Sequence, residues 1–143
     1  MDRIKLGGER GIKVSAVCLG TMTFGNQTGT ADAFRQMDRA LDAGITFLDT
    51  AEMYPVNPVR PETVGRTEEI VGEWLSANGA RNRVEVATKA SGPNPAVRDG
   101  EGFNGGNLAR LAEQSLRRLR TDVIDLYQLH VPMRPTYHFR KVW

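Results

Sequence analysis

The chain switches between two hydrophobic periods. Continuous runs of β-branched, aliphatic and aromatic residues at positions 17–22, 45–48, 84–88 and 123–129 read as strands buried on both faces. Between them apolar residues recur at helical spacing. Phe34, Met37, Ala40 and Leu41 follow a capping Thr30 and precede Gly44; Ile70, Val71, Trp74 and Leu75 follow Thr67, with Glu68 and Glu69 in the first turn and Gly79 as the stop. A third helix carries Leu108, Leu111, Ala112, Leu116 and Leu119 on one face. Ahead of the first strand, Arg3-Ile4-Lys5-Leu6 and Ile12-Lys13-Val14 alternate around a glycine-rich turn, as the arms of a hairpin do. No helix follows those glycines, which favours a hairpin that caps something over a phosphate-binding loop. Strands alternating with helices imply a parallel sheet.

The polar residues at the strand ends choose between architectures. Asp49 ends the second run, Lys89 the third and His130 the fourth, while Tyr54 closes the stretch Asp49-Thr50-Ala51-Glu52-Met53-Tyr54. In a (β/α)₈ barrel, functional groups stand at the carboxyl ends of several strands and converge on one mouth. A doubly wound nucleotide-binding sheet would carry G-x-G-x-x-G after its first strand, and Gly20-Thr21-Met22-Thr23-Phe24-Gly25 lacks that form. The predicted fold is therefore α/β, of the (β/α)₈ TIM-barrel type, with the first four β/α strands and an N-terminal hairpin cap.

Composition narrows the function classes. With 143 residues, 40% of them apolar and 25% charged, the chain reads as one globular domain. A net charge of +2 gives no footprint for nucleic acid, and the basic end of the third helix, Arg117-Arg118-Leu119-Arg120, reads as a complement to the helix dipole. The single cysteine, Cys18, excludes an internal disulfide, and its apolar neighbours predict a buried, unreactive thiol. No stretch has the ~20 apolar residues of a membrane span or the apolar core of a signal peptide. The expected location is cytoplasmic, which leaves the sequon Asn26-Gln27-Thr28 without meaning. No metal ligands are assigned.

Four dispersed motifs then form a specific pattern. Gly20-Thr21-Met22-Thr23-Phe24-Gly25, Leu48-Asp49-Thr50-Ala51-Glu52-Met53-Tyr54, Ala87-Thr88-Lys89 and Asp125-Leu126-Tyr127-Gln128-Leu129-His130, in this order, resemble the aldo-keto reductase superfamily. The nearest likeness is to bacterial NADP(H)-dependent members sharing Ala-Glu-Met-Tyr-Pro. The resemblance implies a catalytic tetrad of Asp49, Tyr54, Lys89 and His130. It also implies NADPH (NADP⁺) bound across the barrel mouth, with Gly20, Thr21, Met22 and Asp49 near its nicotinamide ribose, and a small-molecule carbonyl substrate.

The chemistry suits those residue types. Hydride transfer to a carbonyl builds negative charge on oxygen, so a proton donor and polarising groups must be placed there. A phenol gives up its proton more readily with a lysine ammonium against it. Asp49 would hold that lysine, and His130 would direct the carbonyl oxygen. Two other readings stand beside reduction: a lyase with a Schiff base on Lys89, and a non-catalytic binding subunit related to the reductases. A whole barrel takes about 250 residues, so the chain is expected to be the N-terminal half of such a domain. The family's remaining cofactor contacts would then lie outside it, and its open sheet edges invite a homo-oligomer.

Overall fold

A computed structural model describes residues 1–131 and the backbone of 137–138 and 141–142. The loop that follows His130 in the sequence reading, residues 132–143, otherwise lies outside the described residues. Strands β1 (Arg3–Leu6) and β2 (Ile12–Ser15) form the antiparallel hairpin, with Arg3 opposite Ser15 and Leu6 opposite Ile12. Four parallel strands follow in spatial order: β3 (Cys18–Gly20), β4 (Phe47–Asp49), β5 (Glu85–Ser91) and β6 (Leu126–His130). Helix α1 (Thr30–Asp42) joins β3 to β4, α2 (Arg66–Asn78) joins β4 to β5, and α3 (Leu108–Leu119) joins β5 to β6. Two-residue strands β7 (Tyr137–His138) and β8 (Lys141–Val142) pair with each other. Among the described residues the parallel sheet is open, with β3 and β6 at its edges.

Register separates its faces. Gly20 pairs with Asp49, Asp49 with Ala87 and Ala87 with Leu126, so these residues form a row across the sheet, and Lys89–Gln128 and Ser91–His130 make the next two steps. Leu48 and Val86 point to the other face, where they join Phe24, Met37, Ile70, Val71, Trp74 and Leu119 in the main core under the helices. Ala90 begins a second outer cluster with Phe103 and Leu111. Among the described residues the apolar packing on the inner face is at its amino end, where the hairpin lays Val14 on Phe47 and Ala87. There Ser15 Oγ accepts the N–H groups of Thr46 and Phe47 at 3.0 and 3.1 Å, which locks the hairpin to the start of β4. The inner face beyond that plug belongs to the polar residues.

Three expectations are corrected. Cys18 is exposed: it lies on the inner face of β3, which has a strand neighbour on one side only among the described residues. Desolvation, then the Asp49 carboxylate, pushes the thiol up to about 11, which disfavours the thiolate at pH 7. Lys89 is not a strand end, since β5 continues through Ala90 and Ser91. The helix starts move by one residue: Gly29 caps α1 in front of Thr30, and α2 opens at Arg66 behind Gly65. Gly79 ends α2 as expected, in the left-handed conformation at φ 55°. No helix among the described residues is long and apolar enough to cross a membrane.

Candidate active site

Asp49 and Lys89 share the inner face, on adjacent strands and one step apart in register, which puts their side chains within reach of each other. Lys89 Nζ donates to Asp49 Oδ2 at 2.7 Å and to the carbonyl oxygen of Thr50 at 2.7 Å. The lysine side chain is only 12% exposed, so two oxygen acceptors fix its head group rather than leaving it to wander in solvent. The carbonyl of Asp49 is held in turn, accepting Thr21 N–H at 3.0 Å and Thr21 Oγ1 at 2.9 Å.

Tyr54 reaches the same place from the loop after β4. That loop is a tight turn: Tyr54 N–H donates to Ala51 O at 3.1 Å, and Tyr54 O accepts Gly65 N–H at 3.2 Å at the threshold of α2. The phenol ring is buried, with Lys89 Nζ 5.0 Å from its centre, within the range where an aromatic face attracts a cation. His130, the last residue of β6, stands edge-on to Tyr54, the ring centres 5.8 Å apart and the planes at 83°. Burial, and after it the Lys89 ammonium, holds His130 below its ordinary 6.5, so the ring is neutral at pH 7 and carries one N–H to offer. Its Nδ1 is buried and has no partner among the described residues. Tyr127 is the wrong tyrosine for this site, since it packs outward on the Ala90 cluster and burial pushes it up to about 12.

All four residues of the predicted tetrad thus converge on one space at the strands' carboxyl ends. The aldo/keto reductase family model matches residues 16–143. The chain belongs to the aldo/keto reductase family. Protein tas of Escherichia coli is 47% identical over 135 residues, covering 92% of this chain and 39% of that protein. The uncharacterized oxidoreductase YrpG of Bacillus subtilis is 44% identical over 128 residues, covering 86% and 38%. Among solved structures, the holo form of the aldo-keto reductase AKR11C1 from Bacillus halodurans superposes with a TM-score of 0.71 at 34% identity, covering 91% of this chain and 40% of that one. The chain therefore spans about two fifths of the length of the relatives it matches. The open four-stranded wall is part of the aldo/keto reductase barrel.

Gly20, Thr21 and Met22, expected near a cofactor, line the same end of β3. Gly20 pairs with Asp49, and a side chain at Gly20 would meet nothing within 4 Å, so there is open space beside the aspartate. Met22 is exposed, whereas Thr21 is buried with its hydroxyl given to Asp49. Two further polar residues stood in the quoted motifs but were not assigned to the site. Gln128 stands opposite Lys89 in register, its Oε1 buried without a partner among the described residues. Its position two before His130 on one strand was the available signal. Glu52, in the loop after β4, is buried against the end of β5, and a carboxylate between Ala51 and Met53 was its only mark.

Proposed function

We propose that residues 1–143 are the N-terminal half of an aldo-keto reductase barrel domain, and that Asp49, Tyr54, Lys89 and His130 serve the NADPH-dependent reduction of an aldehyde or ketone to an alcohol. One observation carries this reading: a single ammonium, Lys89 Nζ, is bonded to Asp49 at 2.7 Å and stands 5.0 Å from the ring of Tyr54, which lies nearly perpendicular to the His130 ring 5.8 Å away. The surroundings fit a nicotinamide ribose. The open space at Gly20 adjoins the Asp49 carboxylate, which gives only one oxygen to Lys89 and is 29% exposed, leaving an acceptor for a sugar hydroxyl. Gly20, Thr21, Met22 and Asp49 would hold it. Bound there, the reduced nicotinamide supplies the hydride.

The chain's own residues do the rest. As negative charge grows on the carbonyl oxygen, Tyr54 donates its proton to that oxygen and becomes a phenolate. Lys89 stabilises the phenolate, and Asp49 with Thr50 O keeps the ammonium aimed at it. His130, neutral at pH 7, directs the carbonyl oxygen with one N–H. The same hydrogen bonds argue against an imine at Lys89: both acceptors hold an ammonium, whereas Schiff-base formation needs a free amine.

The test uses a completed barrel, with residues 1–143 joined to the remaining part of the Escherichia coli relative. We expect it to oxidise NADPH in the presence of an aromatic aldehyde. Tyr54→Phe should lower kcat by about 10²–10⁴-fold, the usual contribution of a general acid, with NADPH affinity nearly unchanged. Reduction at the wild-type rate by Tyr54→Phe, followed by stopped flow, removes the assignment.

A further inference from the structure

The reaction proposed above makes no use of Glu52, yet this carboxylate ties the Tyr54 loop to the strand that carries Lys89. Glu52 lies two residues before Tyr54, is 3% exposed, and grips β5 at successive points. Its N–H donates to Lys89 O at 3.2 Å. Its Oε2 accepts Ser91 N–H at 2.9 Å, and its Oε1 forms an ion pair with the Arg98 guanidinium. Arg98 closes the clamp by donating to Ser91 O at 3.0 Å and to Glu101 O at 2.7 Å.

The backbone is bent to allow this. Arg98 at φ 50° and Asp99 at φ 53° are both left-handed, a conformation L side chains rarely adopt, and the guanidinium is thereby delivered to a carboxylate hidden from water. Burying the charge is costly, and an apolar residue between Ala51 and Met53 would need no counter-ion at all. What the charged anchor adds is direction. The hydrogen bond from Ser91 N–H and the ion pair with Arg98 set where the loop sits along β5, and the turn from Ala51 to Tyr54 passes that placement to the phenol.

We propose that Glu52, with Arg98 as its counter-ion, is a positioning residue for the reduction: it fixes the Tyr54 loop against β5 and so sets the spacing between phenol and ammonium. This role rests on the function proposed above. It also couples the loop between β5 and α3, which carries Arg98, to the proton donor.

The completed barrel tests it. Glu52→Gln leaves an acceptor for Ser91 N–H but removes the charge that holds Arg98. We expect kcat to fall by about tenfold or more, with KM for the aldehyde and the Kd for NADPH changing by less than about twofold, as loss of alignment alone requires. Arg98→Met should give the same fall, and the double variant should be no worse than the poorer single one, because both act through one contact. Glu52→Asp, charged but shorter, should recover part of the loss. With fluorotyrosine incorporated, the Tyr54 resonance, assigned by its disappearance in Tyr54→Phe, should shift in Glu52→Gln. Unchanged kcat in Glu52→Gln, or losses that add in the double variant, overturn the proposal. An unfolded Glu52→Gln leaves Arg98→Met to read the same contact. A wild-type barrel that reduces no carbonyl defeats the functional reading instead, and the Tyr54 resonance then decides the positioning role alone: unmoved, it refutes it; displaced, it supports it.

Discussion

Lys89 is asked to face two ways. Its ammonium is bonded to Asp49 and Thr50 O while standing by the Tyr54 ring, so in the proposed reaction its removal would strip the Tyr54 phenolate of its stabilising charge and leave Asp49 without this partner. Lys89→Met in the completed barrel should therefore cut kcat at neutral pH by at least about 10²-fold, read from NADPH absorbance; full activity at pH 7 would contradict the role given to the charge. His130 gives a prediction of a different kind. Its folded pKa lies below the ordinary 6.5, so the unfolded chain binds the proton more readily than the folded one. The stability at stake is fully present above pH 6.5 and is lost as pH falls below that, through the folded value. Urea midpoints of wild type and His130→Gln at about pH 7.5 and about pH 5 should show a steeper loss for wild type. Equal losses would mean that His130 is not desolvated as the fold implies.

Elements, more than residues, were written legibly in the sequence. The helices appeared as periods because each buries one stripe, and the parallel order followed from strand–helix alternation. Strand limits were less legible where the inner face is polar: on β5, Lys89 and Ser91 look inward and read as the start of a loop, although hydrogen bonding to β6 continues through Ser91. Asp49, Lys89 and His130 drew notice because they end apolar runs, whereas Tyr54 joined them only through the family resemblance. The clamp could not, because Arg98 lies in a glycine-rich stretch without a period and meets Glu52 only through the fold. Contact between α2 and α3 was equally hidden. It turns on Gly72, where an added Cβ would lie 2.4 Å from the Arg118 carbonyl oxygen and 2.6 Å from Leu119 C. These are backbone atoms and cannot step aside. Beside them Arg118 Nε donates to the buried Glu68 at 2.6 Å, and Glu68 accepts Thr88 Oγ1 at 2.6 Å, which pins α3 to α2 and to β5. Gly72→Ala should thus destabilise the domain by about 1–3 kcal/mol or more, as overpacking does, and an unchanged denaturation midpoint would show that the helices separate freely.

At the scale of the whole molecule the sheet is the issue. β3 and β6 each lack a strand neighbour on one side among the described residues, and unpaired strand edges are templates for other chains. Apolar side chains crowd these edges: Val17 is 48% exposed, Met22 45%, Val123 49% and Leu129 58%. Full burial of one such side chain is worth roughly 1.5–3 kcal/mol, against a net domain stability of about 5–15 kcal/mol, so leaving several in water removes a large share of the margin. Under the helices the opposite holds, with Trp74, Phe24, Met37 and Ile70 wholly buried, which favours retained secondary structure over a random coil. The 143-residue polypeptide by itself is therefore expected to pair its edges with a second copy, to persist as a partly molten state, or to aggregate, and not to bind NADPH as a folded monomer. Light scattering on a size-exclusion column should give a mass above the monomer's 15.8 kDa or an expanded elution volume. Amide exchange should find β3 and β6 unprotected in any monomer fraction, and NADPH fluorescence should not titrate. A stable monomer with protected edge amides and micromolar NADPH affinity would mean that the hairpin plug and the outer core suffice to hold the open wall together.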